Sequence, residues 1–160
     1  DLVLSVKPDQ VTLVPDAHDA ITSNAGWDTL KFRKFLSDLV ITFKKSGIRT
    51  SIFVDNTPVH IENAVLTGTD RIELYTEPYA KGFSDNAPAA VKPFVIAAEI
   101  ARKAHMGLNA GHDLNLDNLR YLHQNIPWID EVSIGHALIS DALYLGLENA
   151  IQMYKRQLKD

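Results

Sequence analysis

Several features that mark particular classes of protein are absent from this sequence. The 160 residues contain no cysteine, which excludes disulfide bridges and thiolate metal sites. No apolar run approaches the roughly 20 residues that a membrane-spanning helix requires. Positive charge is not in excess, and the formal net charge of −4 argues against nucleic acid or an anionic membrane as the partner. We therefore expect a cytoplasmic protein with a single globular domain.

What the sequence does contain is an alternation of short β-like runs and longer helix-like runs. The β candidates are mostly rich in β-branched residues and are bounded by Pro, Gly, Asp or Asn. They are VTLV (11–14), TSIFVD (50–55), RIELYT (71–76), GLNA (107–110) and EVSI (131–134). The amphipathic helix candidates are 27–47, 56–68, 87–107, 116–127 and 135–160. This order, without hairpin signals, predicts βα units and a parallel sheet.

The two faces of the predicted strands differ in polarity. The positions that can face covering helices are apolar: Ile52, Val54, Ile72, Leu74, Leu108, Ala110, Val132 and Ile134. The opposite positions include Ser51, Asp55, Arg71, Glu73, Asn109 and Ser133. A polar second face favours a barrel with chemistry in its lumen, because a doubly wound sheet needs two apolar faces.

The number of strands predicts only part of such a barrel. Five strands cannot close the usual eight-stranded barrel, and the opening DLVLSVKP resembles the end of a helix. We therefore expect an α/β fold in which residues 1–160 form about the last five βα units of a single (β/α)8 TIM barrel domain, with earlier units upstream.

A phosphate site is predicted where the last candidate strand meets the last candidate helix. Gly135 and His136 form this turn in the motif SIGHALI. Free amide groups and the positive dipole end make a helix N-terminus a phosphate site, and Gly135 lets a phosphate approach the backbone. His136 adds a donor, and barrels commonly bind phosphate after their last strands. The alternative is an ordinary strand-to-helix turn, where glycine is common.

Two side chains are candidates for acid–base chemistry. His112, in NAGHDL, follows a strand at the end of the barrel where catalytic groups lie. It can exchange protons near neutral pH, with Asp113 or Asn109 setting its tautomer. The alternative is a solvent-exposed loop histidine. Glu73 has lumen parity, where a carboxylate is costly unless it is paired or functional. Its alternative is a salt bridge with Arg71.

The remaining polar residues support weaker predictions. The long loop LVPDAHDAITSNAGWD offers Thr22, Ser23 and Asn24 as substrate contacts, and its alternative is a plain surface loop. A metal site with His112 and His136 is a weak alternative, because no histidines or carboxylates have ligand-like spacing. Five further residues are assigned no role, Glu77 as a solvated loop residue and the others as histidines without converging partners: His18, His60, His105 and His123.

Taken together, the motifs resemble one enzyme family over essentially the whole chain. LVPDAHDAITSNAGWD, GIRTSIFVD, DRIELYTEPYA, LNAGHDLNLDNL and EVSIGHALISDALYLGLENAI are similar, in this order, to the pyridoxine 5′-phosphate synthases of deoxyxylulose-dependent vitamin B6 biosynthesis. The resemblance implies a (β/α)8-barrel transferase that assembles into a homo-octamer and uses no cofactor or metal. It further implies condensation of 3-amino-2-oxopropyl phosphate with 1-deoxy-D-xylulose 5-phosphate, which releases pyridoxine 5′-phosphate, phosphate and water.

The resemblance also implies roles for individual residues, by their positions in the motifs. His112 corresponds to a histidine proton donor, and Glu73 to a glutamate that stabilises the transition state. Thr22 matches a substrate-binding threonine, while Gly135 and His136 match a phosphate-binding pair.

Two departures from the family pattern affect these expectations. Asp113 stands where some members have a glycine whose amide binds phosphate, and its carboxylate repels a phosphate unless it points away. The family's first three βα units, which carry another catalytic histidine, a catalytic glutamate and substrate-binding arginines, have no counterpart in these residues. We therefore expect the chain alone to be inactive.

Two other functional interpretations were weighed against this one. The first is a non-catalytic, phosphate-binding half-barrel that self-associates through its exposed strand edges. The second is another phosphate-handling barrel enzyme, such as an aldolase or isomerase. It is disfavoured because Lys81 and Lys92 fall in a predicted loop and helix, and no lysine at a strand end suits a Schiff-base nucleophile.

Overall fold

A computed structural model describes residues 2–17 and 19–159 of the chain. Within these residues a parallel sheet has the strand order β1-β2-β3-β4-β5. The strands are β1 (Gln10–Leu13), β2 (Arg49–Val54), β3 (Arg71–Tyr75), β4 (Gly107–Gly111) and β5 (Glu131–Ser133). The helices are α1 (Leu2–Val6), α2 (Arg33–Lys45), α3 (Pro58–Val65), α4 (Glu77–Lys103), α5 (Leu119–Asn125), α6 (His136–Leu145) and α7 (Leu147–Gln157).

The apolar face of the sheet forms the core, as the alternation along the strands predicts. Ile52, Ile72 and Leu108 are aligned on three neighbouring strands and are almost completely buried. Residues of the covering helices, such as Leu36 and Phe94, belong to the same buried cluster. Each such side chain contributes about 1.5–3 kcal/mol through the removal of apolar surface from water. The predicted βα units and parallel sheet are therefore confirmed.

The sheet curls strongly, so that its first and last strands approach each other on the polar face. The side chain of Gln10 on β1 lies 3.4 Å from the Glu131 carboxylate on β5, although four strand spacings separate them. In a flat sheet these strands would be about 19 Å apart. Arg49 on β2 also reaches Glu131, at 2.7 Å. The five strands therefore form a curled half-barrel with a polar lumen, which confirms the prediction of a partial (β/α)8 barrel.

Helix α4 is longer than the sequence indicates. It begins at Glu77 instead of near residue 87, and the backbone of Asn86 (φ −157°, ψ 85°) kinks it. The side chain of Asn86 accepts a hydrogen bond from the amide of Ala89 at 3.0 Å, which starts the second part as a cap would. The assignment of Glu77 to a solvated loop is therefore wrong, and it pairs with Lys81 on the same helix. Lys81 likewise lies on a helix and not on a loop.

Two other helix boundaries differ from the prediction. The segment predicted as one helix over 135–160 is divided at Gly146, whose positive φ of 78° separates α6 from α7. Helix α2 begins at Arg33, because the residues before it pack against the end of β2. A Cβ atom at Gly26 would collide with the backbone of Val54 and Asp55, so only glycine permits this close approach.

Candidate active site

An open cavity of about 840 Å³ lies at the carboxyl ends of the strands. This is the end at which barrel proteins carry their functional groups, because the βα loops converge there. The six residues predicted for the site all line the cavity: Thr22, Glu73, His112, Asp113, Gly135 and His136. The structure thus brings together side chains that are up to 114 positions apart in the chain (136 − 22).

Glu73 projects from the middle of β3 into the lumen and is only 7% exposed. One carboxylate oxygen lies 3.2 Å from the donating hydroxyl of Thr12 on β1, and Ser133 on β5 also bonds the carboxylate. Burial raises the pKa of Glu73, although the hydrogen bonds from Ser133 and Thr12 lower it in part. A Cβ atom at Gly111 would collide with the same carboxylate, so glycine on β4 makes room for it.

Glu73 makes no salt bridge with Arg71, so that alternative is wrong. The guanidinium of Arg71 lies deeper in the lumen, where it donates to the side chain of Asn109 at 2.8 Å. It also lies 3.3 Å from the carboxylate of Glu131. The arginine charge is therefore engaged at the amino-terminal end of the strands. A buried carboxylate without a cationic partner is a candidate for acid–base chemistry.

The backbone after β4 holds His112 in an unusual conformation. His112 and Asp113 both have positive φ, 92° and 58°, which residues other than glycine seldom adopt. The hydroxyl of Thr76 lies 2.8 Å from the carbonyl oxygen of Gly111 and 2.5 Å from that of His112, and the amide of Thr76 donates to Gly111 at 2.9 Å. Strained backbone of this kind concentrates at functional sites, because the surrounding structure must hold it there.

The imidazole of His112 is enclosed on several sides. Its Nε2 atom lies 3.1 Å from the hydroxyl oxygen of Thr22, and the ring of Tyr75 packs edge-on against it with centroids 4.9 Å apart. The side chain is 16% exposed, which rules out the solvated loop histidine. Asp113 lies beside the other ring nitrogen, at 3.4 Å from Nδ1, in an electrostatic contact without hydrogen-bond geometry. Asn109 instead bonds Arg71 and Glu131, so Asp113 is the group placed to favour one tautomer.

The N-terminus of α6 forms the opposite wall of the cavity. Gly135 precedes the ten-residue helix, and its carbonyl accepts the first helical hydrogen bond from the amide of Ile139. The amides of the three residues between them therefore have no acceptor within the helix. A Cβ atom at Gly135 would meet nothing within 4 Å, so the backbone there is open to a ligand. These amides and the helix dipole form an anion site, and His136 lines the same wall.

The loop between β1 and α2 reaches the cavity through two of its three predicted residues. Thr22 touches His112, as described above, and Ser23 lines the cavity while its hydroxyl donates to the carboxylate of Asp16 at 2.5 Å. Asn24 is not among the residues that line the cavity. His18, in the same loop, lies outside the described residues.

Sequence reasoning missed several residues of the site. Thr12, Phe53, Asn115 and Ser140 also line the cavity. The alternation along β2 places Phe53 in the lumen with Ser51, so strand parity could have found it. Thr12 could not be assigned in this way, because β1 is only four residues long and its partner strands are not known from sequence.

A second omission concerns His60, which lies outside the cavity. The interpretation that nothing converges on it is wrong: its Nδ1 atom lies 2.9 Å from the carboxylate of Asp55, and its Nε2 atom lies 3.7 Å from that of Asp28. These partners come from different elements, and sequence spacing alone gives no signal for such a cluster.

Metal and membrane sites were searched over residues 2–17 and 19–159. In that part of the chain no three His, Asp or Glu side chains are arranged to hold a metal ion. No helix formed by these residues is long and apolar enough to cross a membrane.

Fold and cavity together define an α/β protein of the barrel type, with acid–base side chains and a helix N-terminus at the carboxyl ends of its strands. A comparison with protein families identifies the group to which it belongs. Residues 1–160 match the model of the family described as "Pyridoxal phosphate biosynthesis protein PdxJ". The chain is therefore a member of this family, and the resemblance inferred from its motifs is confirmed.

Curated relatives carry the same assignment. The chain is 60% identical over 158 residues to a pyridoxine 5′-phosphate synthase of Cytophaga hutchinsonii, covering 99% of this chain and 66% of that protein. It is 62% identical to the enzyme of the same name from Phocaeicola vulgatus, with 99% and 67% covered. The chain thus spans about two thirds of the length of these relatives.

A solved structure supports the fold independently of sequence. The crystal structure of the Amycolatopsis orientalis BexX/CysO complex contains a chain that matches with a TM-score of 0.63 at 14% identity. The match covers 98% of this chain and 58% of that one. At this level of identity the comparison supports the α/β architecture alone.

Proposed function

We propose that the protein catalyses the last condensation in the formation of pyridoxine 5′-phosphate. The reaction joins 3-amino-2-oxopropyl phosphate with 1-deoxy-D-xylulose 5-phosphate and releases pyridoxine 5′-phosphate, phosphate and water. The observation that carries this proposal is the convergence of Glu73, His112 and the N-terminus of α6 on one cavity. It is supported by about 60% identity to relatives named pyridoxine 5′-phosphate synthase.

The N-terminus of α6 anchors a phosphate group of a substrate. The amides that follow Gly135 donate to the phosphate oxygens, and His136 adds a side-chain donor. Asp113 lines the same cavity and was also assigned to phosphate binding, through its backbone amide. Its carboxylate lies beside His112 Nδ1 and is about half exposed, which keeps a negative charge near the anion. In this proposal only its amide contributes to binding.

Glu73 and His112 transfer protons during the condensation. An amine adds to a ketone, water leaves, phosphate is eliminated and a ring closes, and each step moves a proton. Because burial raises the pKa of Glu73, this carboxyl group retains its proton at higher pH than an exposed one and can stabilise developing charge. His112 donates protons through Nε2, the nitrogen that meets Thr22.

Thr22 positions this nitrogen and the substrate beside it. Its hydroxyl can donate to Nε2 or accept from it, so it can follow the change in protonation of His112 during turnover. None of these steps requires a metal or an organic cofactor. The octameric assembly, the cytoplasmic location and the single barrel domain stay predictions.

The experiment that tests this function is an assay of product formation. The complete protein that carries this sequence is incubated with both phosphorylated substrates, and pyridoxine 5′-phosphate is quantified by liquid chromatography. We expect product only when both substrates are present, and little product from their unphosphorylated counterparts. Absence of product, or equal rates with unphosphorylated substrates, would contradict the proposal. The 160-residue chain serves as a parallel sample, because the alternative function predicts phosphate binding without turnover.

A further inference from the structure

Three titratable side chains meet outside the cavity, beside the end of β2. His60, in the first turn of α3, places Nδ1 at 2.9 Å from a carboxylate oxygen of Asp55 and Nε2 at 3.7 Å from one of Asp28. The imidazole is 20% exposed, so water screens these contacts only in part. None of the three residues lines the cavity. The proposed catalytic steps leave this cluster without a role.

Both carboxylates are themselves held in place. The carboxylate oxygen of Asp55 that contacts His60 also accepts a hydrogen bond from the amide of Thr57 at 2.9 Å. The oxygen of Asp28 that faces His60 accepts one from the amide of Lys31, also at 2.9 Å. Because each carboxylate is fixed by its own turn, the imidazole between them joins two rigid segments.

The segment that contains Asp28 is the C-terminal end of the long β1–α2 loop. The amide of Trp27 donates to the carbonyl of Phe53 at 2.8 Å, and its indole donates to the carbonyl of Leu13 at 3.2 Å. The buried hydroxyl of Thr29 donates to the backbone carbonyl of His60 at 2.5 Å. His60 therefore contacts this segment through its main chain as well as through its side chain.

The same loop carries Thr22 into the cavity. Ile21 beside it is 99% exposed, so the tip of the loop has little packing of its own. The position of the Thr22 hydroxyl, 3.1 Å from His112 Nε2, therefore depends on how the two ends of the loop are anchored. The His60 cluster is one of the contacts that anchor its C-terminal end.

We infer that His60 is a positioning residue, which braces the end of the β1–α2 loop between Asp55 and Asp28 and thereby sets Thr22 against His112. The imidazole suits this role because its two nitrogens point in different directions and can serve two carboxylates at once. The catalytic consequence of the brace rests on the proposed function. Its structural consequence does not.

The test compares His60→Ala and His60→Gln with Glu62→Ala, a control at an exposed position on the same helix. In the complete protein, hydrogen exchange is measured at the amides of Trp27 and Lys31, and nitrogen NMR follows Nε2 of His112. With His60→Ala we expect roughly tenfold faster exchange at both amides, since a hydrogen bond to a charged group is worth about that factor in a local opening equilibrium. We also expect a shift of the Nε2 resonance.

The conservative variant and a second variant make the test specific. Glutamine can bond one carboxylate but not both, so His60→Gln should restore part of the protection, while Glu62→Ala should match the wild type. If His60→Ala does not fold, Asp28→Asn is used instead. It keeps an oxygen for the amide of Lys31 but removes the charge that faces His60, and we expect it to act in the same direction.

Three results would overturn the inference. Two are unchanged exchange at Trp27 and Lys31, and an unchanged Nε2 signal. The third is faster exchange that extends equally to the β3–β4 ladder, which would indicate general destabilisation. Steady-state kinetics separates this inference from the proposed function. A wild type without product but with the predicted exchange pattern would remove the function and leave the brace. Normal kcat, KM and exchange in His60→Ala would remove the brace alone.

Discussion

Glu73 illustrates how neighbours in the fold define the chemistry of a single residue. The same carboxyl group on a surface would be ionised and inert. Here it is buried among Thr12, Ser133 and the bare backbone of Gly111, and its nearest candidate cation, Arg71, is engaged elsewhere. Burial therefore raises its pKa, and the folded state holds a proton that the unfolded state has lost.

This difference predicts a pH-dependent effect of Glu73→Gln. Between the ordinary pKa of a glutamate and the raised value in the fold, the folded state binds more protons than the unfolded state, so stability falls as pH rises. Glutamine has no such titration. We expect the variant to gain stability relative to wild type from pH 4 to pH 8, measured as the free energy of unfolding in urea. A pH-independent difference would contradict this, and Glu62→Gln at an exposed site serves as the control.

His112 predicts a separation of turnover from binding. Its imidazole touches Thr22 and Tyr75, whereas the proposed phosphate donors lie on α6. In the complete protein, His112→Ala should lower kcat by about 10²- to 10⁴-fold, the usual contribution of a general acid, and leave the affinity for inorganic phosphate within about twofold. Calorimetric titration with phosphate provides the second readout. Equal losses in kcat and in phosphate affinity would remove the assigned role.

At the scale of elements, local patterns predicted the strands and their polarity well. The runs 50–55, 71–76 and 107–110 differ from the observed strands by no more than one residue at either end, because β-branched alternation between glycine and polar turns leaves little freedom. Helix ends were less predictable. Proline at 88 and 93 concealed that α4 begins at Glu77, and the break at Gly146 depends on how α7 packs back against α6.

The site was predictable to the extent that its residues follow strand ends. His112 and Gly135 come directly after their strands, and parallel strands bring such positions together at one edge of a barrel. Thr12 and the His60 cluster were not predictable from sequence spacing. Their roles depend on curvature of the sheet and on the path of a 19-residue connection between Leu13 and Arg33 (33 − 13 − 1), neither of which is a local property.

Two glycines beside these strand ends form a matched pair for mutation. Gly135 has a negative φ and open space around it, so Gly135→Ala should change the free energy of unfolding by no more than about 0.5 kcal/mol. The added methyl group projects where the phosphate is proposed to bind, and phosphate affinity should fall roughly tenfold.

Gly111→Ala is expected to do the reverse. Its methyl group would collide with the Glu73 carboxylate and crowd Ser133, so the fold should lose about 1–3 kcal/mol through overpacking. Phosphate affinity should change little in whatever fraction folds, because α6 is not touched. Thermal unfolding and phosphate titration of both variants check the pair, and similar profiles for the two would argue against separate acid–base and phosphate regions.

At the scale of the whole molecule, the described residues leave both sheet edges and one helix face uncovered. Strands β1 and β5 each pair on one side only. Helix α6 exposes Leu143 (81%) and Tyr144 (90%), and Ile139 extends the same apolar surface. A contiguous apolar surface beside unpaired strand edges favours association.

The 160-residue chain on its own should therefore self-associate. We expect sedimentation velocity to show oligomers whose share rises with concentration between about 10 and 200 μM, the range in which modest apolar interfaces form. Replacing Leu143 and Tyr144 together by serine should shift the chain toward monomer, whereas Ile41→Ser on α2 should have less effect. A monodisperse monomer at every concentration would contradict this prediction.

The central claim is that one cavity holds both the phosphate anchor and the proton-transfer groups. The most direct measurement is a crystal structure of the complete protein with pyridoxine 5′-phosphate bound. The account predicts the phosphate at the N-terminus of α6, bonded to the amides after Gly135, with the pyridine ring between Glu73 and His112. A phosphate bound elsewhere, or a ring that contacts neither Glu73 nor His112, would contradict it.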